Sequence, residues 1–553
     1  MTTDSSSSPA EAAPILRATS VVGGMTWLSR LAGLPREMLM AWLFGAGLAK
    51  SAFNIAFRIP NLFRRLFGEG ALSAAFIPIF TEIHERDGPE AANRLASHVA
   101  GLLVAVLSAV TAAGILLALA LQHWWFAPDS RWAAILPMLR IMLPYAPLIC
   151  LAALIMGMLN ALRSFAVPAF APVFLNLTMI AAMLGVWWFV PGEALARIRV
   201  VAWSVLFAGV IQIVVQLPEL RRRGLRLRFR LDWRRDEALR RILRNMAPVM
   251  LGASVFQINV AVDDFIAMWA APWAPAILGY AETIAYLPLG LFGTALGTVL
   301  LPTFSRQVAR NESAALRVTV EQSLRHAILI SAPAAVAMAV LALPAVEVVY
   351  LHGKFTSQDA IWTMRALAAF APGVVFFSIQ RVLTPAFYAL KDTRTPTRVA
   401  IWGVALNLAL NILFVLTWPQ GWKHVGLIAS TVLVSLINSL ALWHELHRQT
   451  GAPKLRAILP TVAGVCVAML GMALAAWESY LWLVAGLRHA IHIAKLLQLT
   501  ALAGAGLASG GVYLLLVHLL CPAALRNAIA DFRHRKKPDD QRSEARGQKS
   551  SGF

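Results

Sequence analysis

Cysteine is nearly missing from this chain: three residues in 553, Cys150, Cys466 and Cys521, each in or beside an apolar stretch and none with a CxxC partner. That excludes a disulfide framework and a thiolate zinc site. Charge is scarce as well, at 14% of residues against 59% hydrophobic. Such a composition excludes a soluble globule and leaves a polytopic membrane protein. Acids are the rarer sign, 28 against 49 bases, for a net charge of +21. No segment between the apolar runs is long enough to fold as a soluble domain. The N-terminus also lacks a basic region leading into a short apolar core. Met1 to Pro14 is rich in Ser and Ala and reads as a disordered cytoplasmic tail, not a cleaved signal peptide.

What is present is a long series of apolar runs. At roughly 20 residues per span they give about fourteen candidates, centred near residues 32, 65, 108, 147, 178, 206, 258, 293, 332, 374, 405, 435, 467 and 508. The basic clusters follow even-numbered spans: Arg221 to Arg244, Arg306 and Arg310, Lys391 to Arg398, His447 to Arg456, and Arg526 to Lys537. The odd-numbered connections, such as Trp124 to Arg131, Pro191 to Glu193 and Pro272 to Pro275, hold few Lys or Arg. The positive-inside rule then places both termini in the cytoplasm. The basic runs serve topology and attract anionic membrane lipids; no nucleic-acid partner is expected.

The chain repeats itself. Ala71-Leu72 with Pro78-Ile79-Phe80-Thr81 matches Ala295-Leu296 with Pro302-Thr303-Phe304-Ser305, and Arg140 with Tyr145-Ala146-Pro147 matches Arg365 with Phe370-Ala371-Pro372. Ala161-Leu162-Arg163 with Pro168 matches Ala389-Leu390-Lys391 with Pro396, so the three offsets are 224, 225 and 228. Six spans separate the copies, so the repeats are parallel. The expected fold is an all-α polytopic membrane protein of about fourteen transmembrane helices. Two parallel-repeat six-helix lobes surround a central cavity, and two C-terminal helices follow. The division expected is a tail at 1–14, an N-lobe at 15–220, a basic cytoplasmic linker at 221–245, a C-lobe at 246–450, two further helices at 451–521, and a basic cytoplasmic tail at 522–553. Pro and Gly recur inside the spans, and the Gly68-Glu69-Gly70 break stands among charges.

Charges inside apolar spans are costly, about 3 kcal/mol each on insertion scales, and persist where they face water or a ligand. The first span holds Arg30 and Arg36, and the second holds Arg58, Arg64, Arg65 and Glu69. Arg58 and Arg65 are seven apart and share a helix face. Guanidinium groups grip phosphate bidentately and stay charged, so this set suits a pyrophosphate. Glu69 reads as a gate residue or an ion-pair partner for Arg64 or Arg65. Farther along, Asp263 and Asp264 lie in the seventh span, Glu282 in the eighth, Arg381 in the tenth, and Asn407 and Asn411 in the eleventh. Carboxylate and amide oxygens from different helices suit a sodium ion. A proton relay on one Asp, and pairing of these acids with first-lobe arginines as a closed-state latch, are the competing readings. Arg381 is a further candidate partner for the acids.

The motifs Ser29-Arg30-Leu31-Ala32-Gly33-Leu34-Pro35-Arg36-Glu37, Phe44-Gly45-Ala46-Gly47 and Arg58-Ile59-Pro60-Asn61-Leu62-Phe63-Arg64-Arg65-Leu66-Phe67-Gly68-Glu69-Gly70-Ala71 closely resemble the lipid II flippase family, MurJ (also called MviN). So do Pro168 to Pro172 with Asn176, Gln216-Leu217-Pro218, Ala295-Leu296-Gly297-Thr298 with Leu301-Pro302, Gly353-Lys354-Phe355-Thr356, and Phe387-Tyr388. The resemblance implies a fourteen-helix member of the multidrug/oligosaccharidyl-lipid/polysaccharide exporter superfamily, moving lipid-linked peptidoglycan precursor across the bacterial inner membrane by alternating access. It implies that Arg30, Arg36 and Arg64 hold the pyrophosphate and that the last two helices form a groove for the prenyl tail. It also implies coupling to sodium or membrane potential, with acidic and amide groups on the seventh and eleventh helices. Na+ or H+ is thus the candidate coupling ion, no other cofactor is expected, and the protein is expected to be a monomer and not an enzyme. Two departures stand out: Ala281-Glu282-Thr283 replaces an Ala-Asp-Arg run, and Ser51 stands where an acid is common. The rival readings are another superfamily member, exporting drugs or other glycan lipids, and a membrane enzyme acting on lipid pyrophosphates. The cationic first lobe argues against an exporter of cationic drugs.

Overall fold

The computed structural model describes residues 29, 31–127, 130–229, 236–488 and 493–527; of these, 68–71, 73–74, 248–249, 251–256, 258 and 290–299 are described for their backbone alone. Among the described residues there are helices and no strands. The helices are α1 (31–44), α2 (Leu48–Phe63), a π-helical segment (Arg64–Ala71), α3 (Leu72–Trp124), α4 (Ile135–Met142), α5 (Tyr145–Ala161), α6 (Ala166–Phe189), α7 (Ala194–Arg222), α8 (Glu237–Ala270), α9 (Ala274–Ala309), α10 (Ser313–Val340), α11 (Ala342–Tyr350), α12 (Ser357–Ala389), α13 (Arg394–Thr417), α14 (Lys423–Thr450), α15 (Leu455–Leu487) and α16 (Ala494–Leu520). Each of the fourteen expected centres falls within a helix. Ten helices among the described residues are long and apolar enough to cross a membrane. The four other centres, near 32, 65, 258 and 293, belong to the helices that carry Arg36, Arg58, Arg64, Arg65, Asp263, Asp264 and Glu282.

Local chemistry explains the interruptions. The Gly68-Glu69-Gly70 break is a π-helical segment, a wider turn of the kind that recurs at functional sites. Gly88 at φ +84° followed by Pro89 divides α3 into two helices. The repeat is visible at backbone level. After α5, Arg163 has φ +57° and Ser164 N donates to Leu159 O; after α12, Lys391 has φ +60° and Asp392 N donates to Phe387 O. Both copies therefore end this helix with the same left-handed turn. They differ upstream, where Pro144 separates α4 from α5 while α12 runs unbroken through the corresponding stretch. Asp392 then caps α13, its carboxylate accepting from the backbone N–H groups of Arg394 and Thr395. These bonds, led by the one from the Thr395 hydroxyl, hold its pKa down at about 2.

α8 begins at Glu237, inside the stretch expected to be linker, because Asp236 accepts a hydrogen bond from Leu239 N as an N-cap. Two compact units result. The first holds the described residues through Thr283 with Tyr350–Trp362 and Leu408–Leu427. The second holds Ile284–Val349, Thr363–Asn407 and the described residues from Ile428. In the second, α15 and α16 pair with each other and pack on α10, where the buried Tyr513 hydroxyl donates to Leu329 O. Their outward leucines, among them Leu470, Leu474 and Leu507, are exposed, as suits side chains that face acyl chains.

Candidate functional site

A polar stripe runs down α2. Ser51, Asn54 and Arg58 follow one another at steps of three and four and so share a face of α2, and Arg65 follows seven residues on, in the π-helical segment. Each meets α8 or α9. Ala276 N donates to Ser51 Oγ at 3.1 Å, which satisfies one of the orphan donors at the start of α9. The hydroxyl performs this task without the charge that an acid would bring. Asn54 Nδ2 donates to Pro275 O at 3.1 Å. Arg58 Nε lies 2.5 Å from Asp264 Oδ2, and its Nη2 lies 3.4 Å from Glu282 Oε2. Arg65 Nη1 reaches Gln257 Oε1 at 3.5 Å. Farther along, Glu82 on α3 pairs with Arg241 on α8 at 3.0 Å. The seven-residue step from Arg58 to Arg65 is met by the seven-residue step back from Asp264 to Gln257, so the two chains keep one antiparallel register. From Asp264 to Arg241 along α8 the seam runs about 35 Å at 1.5 Å per residue, longer than the hydrocarbon core of a bilayer.

The Arg58 cluster is short of positive charge. One guanidinium faces the buried Asp264 and the half-buried Glu282, and Asp263 stands next in sequence. Asp263 turns about 100° away from Asp264, as neighbours on a helix do. Its Oδ1 accepts from Asn411 Nδ2 at 2.6 Å and its Oδ2 from Asn259 Nδ2 at 3.4 Å. Asn407 donates instead to the hydroxyls of Ser430 and Thr431 at 3.3 Å each. Arg381 Nη1 donates to Leu289 O at 2.8 Å. Of the expected sodium ligands, Asp263 accepts from the amide of Asn411 and also from Asn259, Asp264 is paired with Arg58, and Asn407 is turned to α14. An oxygen cage would require the amides to rotate.

The Arg36 cluster has the opposite balance. Glu37 is buried between Arg36 Nη2 and Lys50 Nζ, each at 2.7 Å. Arg36 Nη1 donates to Asn176 Oδ1 at 3.0 Å, and Asn176 Nδ2 donates to Ser29 O at 3.0 Å. Lys50, 2% exposed, lies 5.2 Å from the centre of the Tyr280 ring, a cation–π contact. Lys50 cancels Glu37, so Arg36 keeps an uncancelled positive charge. The buried Arg36 Nε has no hydrogen-bond partner among the described residues.

The turn between α1 and α2 is sealed from above. Tyr280 Oη donates to Gly45 O at 2.9 Å, Tyr350 Oη to Tyr280 O at 3.3 Å, and Lys354 N to Trp42 O at 2.9 Å. Gly45 and Gly353 both have positive φ, and a Cβ on Gly353 would stand 2.3 Å from Trp42 O. Gly353→Ala is therefore expected to cost on the order of 1–3 kcal/mol. The thermal midpoint of the purified protein checks this, with Gly421→Ala, where a Cβ meets nothing within 4 Å, as the control that stays near wild type.

Arg64 Nε donates to Asn61 Oδ1 at 2.8 Å. Arg30 and the side chain of Glu69 lie outside the described residues. Lys50 carried no assignment in the sequence because it falls between the first two spans, where a charge is ordinary. Its signal was its place thirteen residues after Glu37, an acid inside the first apolar stretch.

The fold and site define a class first: a polytopic membrane transporter. The chain has a TM-score of 0.62 with a solved inward-facing multidrug resistance MATE family transporter of the MOP superfamily, at 15% identity over 78% of this chain and 99% of that one. It scores 0.72 with a solved lipid II flippase MurJ in an inward closed conformation, at 22% identity over 90% of this chain and 98% of that one. The family described as "Lipid II flippase MurJ" matches residues 40–493. A probable lipid II flippase MurJ of Vibrio cholerae is 34% identical over 522 residues, 91% of this chain and 96% of the relative. A lipid II flippase MurJ of Burkholderia cenocepacia is 35% identical over 442 residues, 79% and 84% of the two chains. This chain belongs to the MurJ family.

Proposed function

We propose that this chain is a lipid II flippase of the bacterial inner membrane, moving the peptidoglycan precursor from the inner to the outer leaflet by alternating access. The observation that carries the reading is the charge balance around Arg36: Lys50 neutralises Glu37 and leaves a guanidinium, anchored by Asn176, with charge to spare. A pyrophosphate is the matching partner. Arg64, and Arg30 on the same span as Arg36, complete the proposed grip, with Arg65 beside them. Arg58 has a different role. Held by Asp264 and Glu282, it latches α2 to α8 and α9, and the latch must part when the transporter changes state. Asp263, Asp264 and Glu282 then supply the carboxylates through which Na+ or H+ couples to that change, with Asn411 and Asn407 as candidate amide partners, Glu69 as a gate residue and Arg381 as a cation of the other unit. Six-helix lobes at 15–220 and 246–450 move about a central cavity in a monomer with both termini in the cytoplasm. α15 and α16 guide the prenyl tail.

The test is transport of labelled lipid II in proteoliposomes, with and without a sodium gradient, a pH gradient and a membrane potential. Wild type is expected to move the label faster with one of the ion gradients, and Asp263→Asn to lose that acceleration. An Asp263→Asn protein that keeps it would remove Asp263 from the coupling step. No label movement by wild type under any gradient would contradict the flippase reading.

A further inference from the structure

Directly after α7 the chain forms a short pinned strap, residues 225–229. α7 ends at Arg222, Gly224 turns the chain at φ +79°, and residues 225–229 run on outside any helix. The sequence there alternates, Leu225-Arg226-Leu227-Arg228-Phe229, and in an extended chain alternate side chains point to opposite faces. Leu225 is fully buried and Leu227 half-buried, whereas Arg226 and Arg228 are exposed.

Two residues of α3, one turn apart, hold the strap in this register. Asn93 pairs with Arg226 as a neighbouring strand would, its Oδ1 accepting from Arg226 N and its Nδ2 donating to Arg226 O, both at 2.9 Å. Ser97 Oγ accepts from Arg228 N at 3.1 Å. These bonds use only the backbone of the arginines, whose side chains stay exposed, as does that of Arg222 at the end of α7, 80% exposed. Two acids that flank the strap in sequence are committed elsewhere: Glu219 to Ser164 and Arg223, and Asp236 to His98 and the start of α8. Phe229, 63% exposed, extends the same strap. The strap follows directly on a helix long and apolar enough to cross a membrane; at 29 residues that helix is longer than a hydrocarbon core requires, so a strap at its end suits the headgroup region.

We propose that this strap is a binding site for anionic phospholipid, with Arg226 and Arg228 on the headgroup phosphate and Phe229 against the upper acyl chain. Arginine meets phosphate as a planar fork, and an exposed aromatic beside it suits a membrane interface. The proposal does not depend on the flippase reading.

The experiment measures retention of phosphatidylglycerol relative to phosphatidylcholine by the delipidated full chain, using native mass spectrometry. Arg226→Gln with Arg228→Gln is expected to lower the preference by on the order of tenfold, as the loss of two interfacial arginines predicts. Asn93→Ala, which changes no charge but frees the strap, is expected to lower it several-fold. Arg306→Gln with Arg310→Gln removes the same charge at another helix end and is expected to leave the preference within about twofold of wild type. Equal losses in the two arginine pairs, or an unchanged preference in Asn93→Ala or in the strap pair, would overturn the site. Tighter binding of a single-stranded oligonucleotide than of phosphatidylglycerol would overturn it as well.

Discussion

Arg36→Ala is expected to reduce lipid II transport to the level of protein-free vesicles while the protein remains folded in the membrane. The guanidinium is half-buried on α1, with Glu37 and Asn176 fixing its orientation, so a bound phosphate would meet a preset donor instead of a mobile side chain. Truncating a charge in such a setting costs about 2–5 kcal/mol, or about 30-fold to several-thousand-fold in binding. Arg36→Lys keeps the charge but loses the fork, and is expected to recover only a small part of the activity. The measurement is the initial rate of labelled lipid II movement, with membrane insertion and thermal midpoint recorded in parallel. A normal rate in Arg36→Ala, or rescued growth of depleted cells by it, would remove Arg36 from the cargo site.

Lys50→Met is expected to produce the largest loss of stability. Glu37 and Lys50 are both buried, 2.7 Å apart, and removing one partner leaves an unpaired charge in an apolar interior. Such removals cost about 3–5 kcal/mol. The double variant Glu37→Gln with Lys50→Met leaves no unpaired carboxylate and is expected to regain most of that loss. Thermal midpoints of the purified single and double variants measure this. A double variant no more stable than Lys50→Met alone would show that the pair is not what holds the α1–α2 turn. Arg36 transport activity should fall in the double variant even where stability returns, because Glu37 no longer orients the guanidinium.

The helices were legible because apolar runs of membrane length have few other readings, and each expected centre lies in a helix. The repeat was legible too, down to the shared left-handed turn at Arg163 and Lys391. The start of α8 was not: the arginines from Arg240 to Arg244 read as a linker, and the cap at Asp236 gives a weaker signal than their charge. In the candidate site, spacing placed Arg58 and Arg65 on one face, but spacing cannot name a partner 206 residues away such as Asp264. Asp263 and Asp264 are indistinguishable in sequence. They part company only because adjacent helical residues point about 100° apart, one toward Arg58 and the other toward Asn411 and Asn259. Lys50 was hidden for a similar reason, since a lysine between two spans ordinarily faces water.

In the proposed division of roles Arg36 serves the cargo and Arg58 the latch. Equilibrium binding of lipid II to wild type, Arg36→Ala and Arg58→Ala in detergent tests it most directly. Arg36→Ala is expected to lose at least about 30-fold in affinity while Arg58→Ala binds within about threefold of wild type. Near-wild-type binding by Arg36→Ala, together with lost binding by Arg58→Ala, would contradict it.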